Sequence, residues 1–433
     1  MDRARRRITR RLMPYLLLLY LVAFLDRTNV AVAGLGMKKD LGFTEAIIGS
    51  GAGIFFLGYF LLEVPGTLIV ERWSARKWIS RIMITWGIVA SAMGLIGLPF
   101  LGGMDHKSQF YGFRFLLGLG EAGFFPGVVL YLSHWFRYED RARAKSLFMV
   151  SIPAATVIST PLSKFILNNV HWQNLAGWRW VFILEGIPAV ILGLVTIFYL
   201  TDRPEQAKWL PDEEKAWIVG ELARERATKI AIGGGDILRG LLNPRVLLLM
   251  VIYFFGVIGV YGIGFFLPAI TKTMTDMPDG AQTAIATVPY VCGCVVMLLN
   301  ARHSDKTGER RWHTVGPLLL ASVSMALCVL SYGVRPLEIF FLCTLGAGLS
   351  THLPVFWTHP TMRLTGSAAA VAIGLINSFG NLGGFVGPLI VGRLTTDTGS
   401  FRAGMWFLSG CLLLAAFLAT FLKPEPPPSP AIL

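Results

Sequence analysis

Twelve stretches of about 20 mostly apolar residues run through this chain of 433 residues, near 13–35, 47–70, 78–101, 109–133, 146–168, 178–200, 245–269, 281–300, 314–333, 336–358, 368–391 and 402–422. A bilayer core takes about 20 apolar residues per helix, and inside it every backbone polar group must be paired within the protein. The pattern predicts an all-α integral membrane protein of twelve transmembrane helices. Composition agrees: 54% of residues are hydrophobic and 15% charged, where a soluble domain has about 25% charged. A soluble fold is excluded.

The net charge of +13 would point to nucleic acid in a soluble chain. Assigned to loops, 28 of the 39 Lys and Arg fall on the side of the N-terminus and 9 on the opposite side. The positive-inside rule absorbs the surplus and puts both termini in the cytoplasm, in the cell inner (plasma) membrane. No nucleic-acid partner is expected. The run from Arg3 to Arg11 before an apolar stretch imitates a secretory signal, but Asp26 and Arg27 interrupt the stretch, so a retained first span is expected. Five cysteines, all within or beside apolar runs, give neither a disulfide framework nor a zinc spacing. No metal site is expected, and no cofactor beyond protons as coupling ion.

The only long polar segment, 201–244, separates spans 6 and 7. Pro211-Asp212-Glu213-Glu214 within it signals a helix start, so an amphipathic surface helix through about residue 227 is expected, followed by Gly233-Gly234-Gly235. A solvated linker is the alternative. The halves echo each other: Pro126 answers Pro354 and Pro161 answers Pro388, at separations of 228 and 227. Such offsets imply two six-helix repeats, as in secondary transporters, with a binding site between the halves. The organisation is then 1–200, an N-terminal bundle; 201–244, a cytoplasmic central segment; 245–423, a C-terminal bundle; and 424–433, a Pro-rich cytoplasmic tail.

An ionisable side chain at mid-membrane costs at least about 2.5 kcal/mol, so each needs a reason. Asp26 and Arg27 sit together in span 1, about 100° apart on the helix, and cannot share one face. Span 4 carries Arg114 and Glu121, two turns apart on one stripe. Together they suggest a proton-titrating carboxylate beside an anion clamp, since binding an anion to the arginine would favour protonation of its carboxylate neighbour. Structural ion pairs are the alternative. Arginine suits the clamp because its planar fork binds a carboxylate bidentately. Tyr59 and Asn377 offer hydrogen bonds and Trp357 a flat apolar wall. Glu63 and Glu185, each shortly before a proline, read as packing or gating residues.

Twelve spans, a long central loop and related loops after spans 2 and 8 resemble the major facilitator superfamily. The first loop has Gly66, Glu71, Arg72, Arg76 and Lys77; the second has Asp305, Lys306, Gly308, Arg310 and Arg311. With Arg141 after span 4 as a basic partner, Glu71, Arg72, Asp305 and Lys306 read as gating latches. Asp26-Arg27-x-Asn29, Arg114-x6-Glu121, Asp202-Arg203-Pro204 with Trp209-Leu210, and Asn377-x3-Asn381-x-Gly383-Gly384 before Pro388 resemble, more narrowly, the anion:cation symporter family. That resemblance implies proton coupling by Asp26 and Glu121, and substrate contacts from Arg27, Arg114, Tyr59, Trp357 and Asn377. Its sugar-acid members tend to have a glutamine in span 5 where this chain has Ile152 beside Pro153, which disfavours a hexonate.

The expected function is proton-coupled uptake of a small organic carboxylate, tartrate-like or aromatic, by a carrier acting as a monomer in membrane lipid. The alternatives are a sugar-acid symporter, or an anion exchanger or organophosphate antiporter; the latter would want a second arginine in spans 7–8, where none lies mid-membrane. A membrane enzyme would need a nucleophile and base at one depth, and a channel would need charge rings or a filter sequence; neither pattern is present.

Overall fold

The computed structural model describes residues 2–72, 74–99, 102–231, 243–359 and 366–422. Gly233 to Gly235, the tail 424–433, and the side chains of Glu71, Arg72, Arg141, Ile152 and Asp305 lie outside the described residues. The described residues form helices and no strand. In the first half these are α1 (Asp2–Thr28), α2 (Val30–Leu41), α3 (Glu45–Arg72), α4 (Ala75–Ala92), α5 (His106–Glu121), α6 (Phe124–Trp135), α7 (Tyr138–Asn169), α8 (Gly177–Tyr199) and α9 (Asp212–Ala231). The second half has α10 (Pro244–Lys272), α11 (Asp279–Thr307), α12 (Trp312–Leu330), α13 (Arg335–Phe356), α14 (Gly366–Asn381), α15 (Gly383–Thr398) and α16 (Arg402–Ala419).

Among the described residues eleven segments are long and apolar enough to cross a membrane, with α1–α2, α5–α6 and α14–α15 each counting as one. The twelfth span is α7, whose 32 residues extend about 48 Å at a rise of about 1.5 Å each. Span 4 is two helices, α5 and α6. It breaks after Glu121: Ala122 is extended (φ −54, ψ 135) and Gly123 is left-handed (φ 83, ψ 2). Only glycine takes that φ without Cβ strain, and Pro126 fits the first turn of α6 because its missing N–H would have no partner there. Spans 1 and 11 are merely irregular, at Asn29 and Leu382, both still right-handed.

The chain forms two compact units: Met1–Phe43 with Ile54–Gly234, and Thr44–Gly53 with Gly235–Leu433. In unit 1 the main partnerships are α4 with α8 and α1 with α7; in unit 2 α13 packs on α11 and α12, α12 also packs on α16, and α10 packs on α14, α15 and α16. Spans 3 with 6 and 1 with 5 are thus repeated as 9 with 12 and 7 with 11, which is the packing a duplicated six-helix unit requires. Close approach recurs too. A Cβ at Gly118 would collide with the Phe55 carbonyl, and one at Gly346, 228 residues later, with the Pro289 carbonyl. Small residues of this kind let membrane helices meet backbone to backbone.

The central segment belongs to unit 1, where its helix runs to Ala231, one turn past the expected end. Asp202 accepts from the Ser74 hydroxyl (2.9 and 2.8 Å) and from the Arg76 backbone N–H (2.8 Å), so it caps the start of α4. Trp209 stacks on Trp135 (centroids 5.3 Å apart), Arg11 lies over Trp209, Arg7 pairs with Glu214, and Arg137 covers Trp217. These contacts clasp the segment to the N-terminal end of α1 and the C-terminal end of α6 and set it apart from a solvated linker.

Candidate functional site

Span 1 must present Asp26 and Arg27 to different surroundings, and it does. Asp26, 1% exposed, turns to α4, where the Trp86 indole N–H donates to Oδ2 (2.8 Å), while Asn29 one turn on donates to Oδ1 (3.4 Å). Arg27 turns instead to α5, where its Nη2 forms a buried hydrogen-bonded ion pair with Glu121 Oε1. The guanidinium of Arg27 lies over the rings of Phe24, Phe55 and Tyr59, at 5.5, 5.4 and 5.5 Å from their centroids. Arg114, fully buried, sits over the same Phe55 ring at 5.0 Å. Two guanidiniums thus share one aromatic cage, whose ring faces attract cations, and Glu121 is hydrogen-bonded to one of them.

The break in span 4 places Glu121. As the last residue of α5 it precedes the left-handed turn, and α6 begins three residues on, at Phe124, where the first N–H groups of a helix lack intrahelical partners. Discontinuous helices of this kind form ion and substrate sites in transporters. Chemically, a carboxylate entering this site competes with Glu121 for Arg27, and a proton on Glu121 removes the competitor.

Unit 1 therefore brings together Asp26, Arg27, Tyr59, Arg114 and Glu121, all of them expected site residues. In unit 2, Trp357 ends α13 in edge contact with Tyr253 (5.0 Å) and Phe356 (5.6 Å), and Tyr253 stacks on Phe356 at 5.3 Å. Asn377 lies buried on α14 beside Ser378. Sequence reasoning missed Trp86 and Tyr253. A mid-span indole N–H that needs an acceptor was the available signal for the first; for Tyr253 there was none, because its contact with Phe356 exists only once spans 7 and 10 pack.

Of the expected latches, Glu71, Arg72, Arg141 and Asp305 have side chains outside the described residues, and Lys306 is exposed in the last turn of α11. The partners seen at Asp140 are Arg5 (2.8 Å) and Arg137 (3.2 Å). After span 8, Gly308 closes α11 in the left-handed conformation (φ 70), and Glu309 caps α12 by accepting from the backbone N–H groups of Trp312 (2.9 Å) and His313 (3.2 Å). Burial works to raise the Glu309 carboxyl, but those N–H groups and the His313 ring outweigh it and hold it below the ordinary glutamate range.

Two internally duplicated units, twelve spans and buried charges at a helix break define a membrane carrier. The chain matches the Major Facilitator Superfamily over residues 16–388, and it belongs to that family. It is a transporter and not an enzyme. It is 45% identical over 427 residues, 98% of this chain and 96% of the relative, to a protein of Agrobacterium vitis described as a "Putative tartrate transporter". It is also 38% identical to the quinolone resistance transporter of Acinetobacter baumannii, covering 95% of this chain and 93% of that one. Among solved structures, a D-xylose-proton symporter matches with a TM-score of 0.74 at 15% identity, over 95% of this chain and 98% of that one; it supports the fold alone.

Proposed function

We propose that the protein is a proton-coupled symporter that takes up a small organic carboxylate, tartrate-like or aromatic, across the inner membrane, with both termini cytoplasmic. The observation that carries this reading is the buried Arg27–Glu121 pair with Arg114 beside it on the shared Phe55 ring. A buried ion pair is at best marginal for stability, which favours a switching role over a structural one. Substrate carboxylate takes over Arg27 as Glu121 accepts a proton, so anion and proton enter together. The tartrate name carried by the Agrobacterium vitis relative supports the substrate class.

In this reading Arg27 and Arg114 clamp the carboxylate, Tyr59 hydrogen-bonds it, Trp357 and Asn377 also contact it, and Asp26 shares the proton role with Glu121. Latches at the cytoplasmic loops gate the cycle. Aromatic acids or short dicarboxylates should outcompete hexonates, as Ile152 in place of a glutamine implies. The test is uptake of a panel of labelled carboxylates into proteoliposomes under an imposed pH gradient. Saturable, gradient-driven accumulation of a tartrate-like or aromatic acid is expected; accumulation of hexonates in preference would reverse the substrate assignment, and equal uptake with and without the gradient would refute proton coupling.

A further inference from the structure

Glu185, three residues before Pro188 in α8, is 2% exposed, and its surroundings do not suit mere packing. The fully buried Ser163 of α7 donates its hydroxyl to Glu185 Oε1 at 2.6 Å, while no described donor reaches Oε2. Asn29, also buried, donates to Asp26 and lies near enough to Glu185 for its amide to act on that carboxylate as a donor, yet its own Oδ1 has no described partner. One amide therefore stands between two carboxylates from α1 and α8.

The charged groups around this pair offer no relief. Asp26 feels the charges of Glu185 and of Glu121 on α5, and the neighbouring Arg27 is turned to Glu121. Among the described residues no Lys or Arg pairs with Asp26 or Glu185. Two buried carboxylates that interact without a cation cannot both be ionised. A proton on Glu185 turns an oxygen that finds no donor into a donor itself, and it leaves the Asn29 amide NH2 to a charged Asp26.

We propose that Glu185 is a proton-binding residue of this carrier, forming with Asp26 and Asn29 a pair of carboxylates that holds one proton between them. Its place in transport rests on the proton-coupled reading above, whereas its existence does not. Binding of the proton at Glu185 favours ionised Asp26, and the reverse, so the two titrate as one coupled system.

The test is pH-difference infrared spectroscopy of the purified full chain in lipid, following the protonated-carboxyl band. Glu185→Gln should abolish one titration step and, by removing a negative neighbour, move the Asp26 step to lower pH. Asp26→Asn should do the reciprocal to the Glu185 step, and Glu185→Asp should keep both steps. Retention of every step in Glu185→Gln, or an unmoved Glu185 step in Asp26→Asn, overturns the proposal; if Glu185→Gln does not insert, the Asp26→Asn shift decides alone. Gradient-driven uptake, measured on the same preparations, keeps the two readings apart. Reciprocal shifts in the two variants, with a wild-type protein that accumulates nothing, would refute proton-coupled transport and leave the proton pair standing. Accumulation without the shifts would refute the pair alone.

Discussion

Within its spans unit 1 buries Asp26, Arg27, Glu63, Arg114, Glu121 and Glu185, whereas the buried polar groups of unit 2 are mainly amides, hydroxyls and one imidazole: Asn377, Ser378, Asn381, Ser322, Ser409 and His352. Its buried acid Glu338 lies in the first turn of α13, paired with Arg335 at 2.6 Å. The same six-helix plan therefore carries two chemistries. Since each mid-membrane charge costs at least about 2.5 kcal/mol, their concentration in one unit supports the proposal that charge is bound and exchanged there. Under that proposal unit 2, with Tyr253, Phe356 and Trp357 packed ring against ring, gives shape instead of charge.

That division can be broken most forcefully at the clamp. Arg114→Lys or Arg27→Lys keeps the charge and loses the bidentate fork; charged hydrogen bonds worth about 1.5–3 kcal/mol imply uptake about 10–100-fold weaker, in protein that still inserts. Undiminished carboxylate affinity would remove that arginine from the site. A smaller change is expected across the divide. Trp357→Ala loses ring contacts worth about 0.5–1.5 kcal/mol, so affinity should fall several-fold for aromatic acids, and Trp357→Phe should restore most of it. A loss in Trp357→Ala that rivals the arginine variants would erase the contrast between the units.

The next effect down is on stability. Gly123→Ala forces a Cβ into the left-handed turn at a cost of about 1–2 kcal/mol, visible as a lower melting temperature, and it should also disturb substrate binding because Glu121 hangs on that turn. Gly410→Ala, at a helical position with open space around it, serves as the control. Smallest of all is Ser409→Ala. Ser322 and Ser409 each donate to the other's backbone carbonyl, at 2.8 and 2.9 Å. Interhelical bonds of this type average about 0.6 kcal/mol in membranes, so a slight loss of stability with unchanged transport is expected.

Much of this was legible in the sequence. Apolar run length yielded the spans, because lipid leaves a helix no other way to satisfy its backbone, and mid-span charges marked Asp26, Arg27, Arg114 and Glu121, because lipid penalises them. The break at Ala122–Gly123 was hidden: five glycines in span 4 look alike, and which one adopts a left-handed φ depends on packing against neighbouring spans. Partner choice was hidden for the same reason. Helical spacing puts Arg114 and Glu121 on one stripe, yet Glu121 pairs with Arg27 from another span, and Glu185 reads as a packing residue until Asn29 and Ser163 are brought beside it.

The most direct test of charge exchange in unit 1 is the behaviour of Glu121→Gln, a neutral mimic of the protonated acid, in proteoliposomes. Counterflow into vesicles preloaded with unlabelled carboxylate requires only that the loaded carrier reorient, while accumulation on an imposed pH gradient requires a proton to be released inside. Glutamine cannot release one. Retained counterflow with lost accumulation is the expected result; a Glu121→Gln protein that still concentrates substrate on the gradient would contradict the coupling role of the Arg27–Glu121 pair.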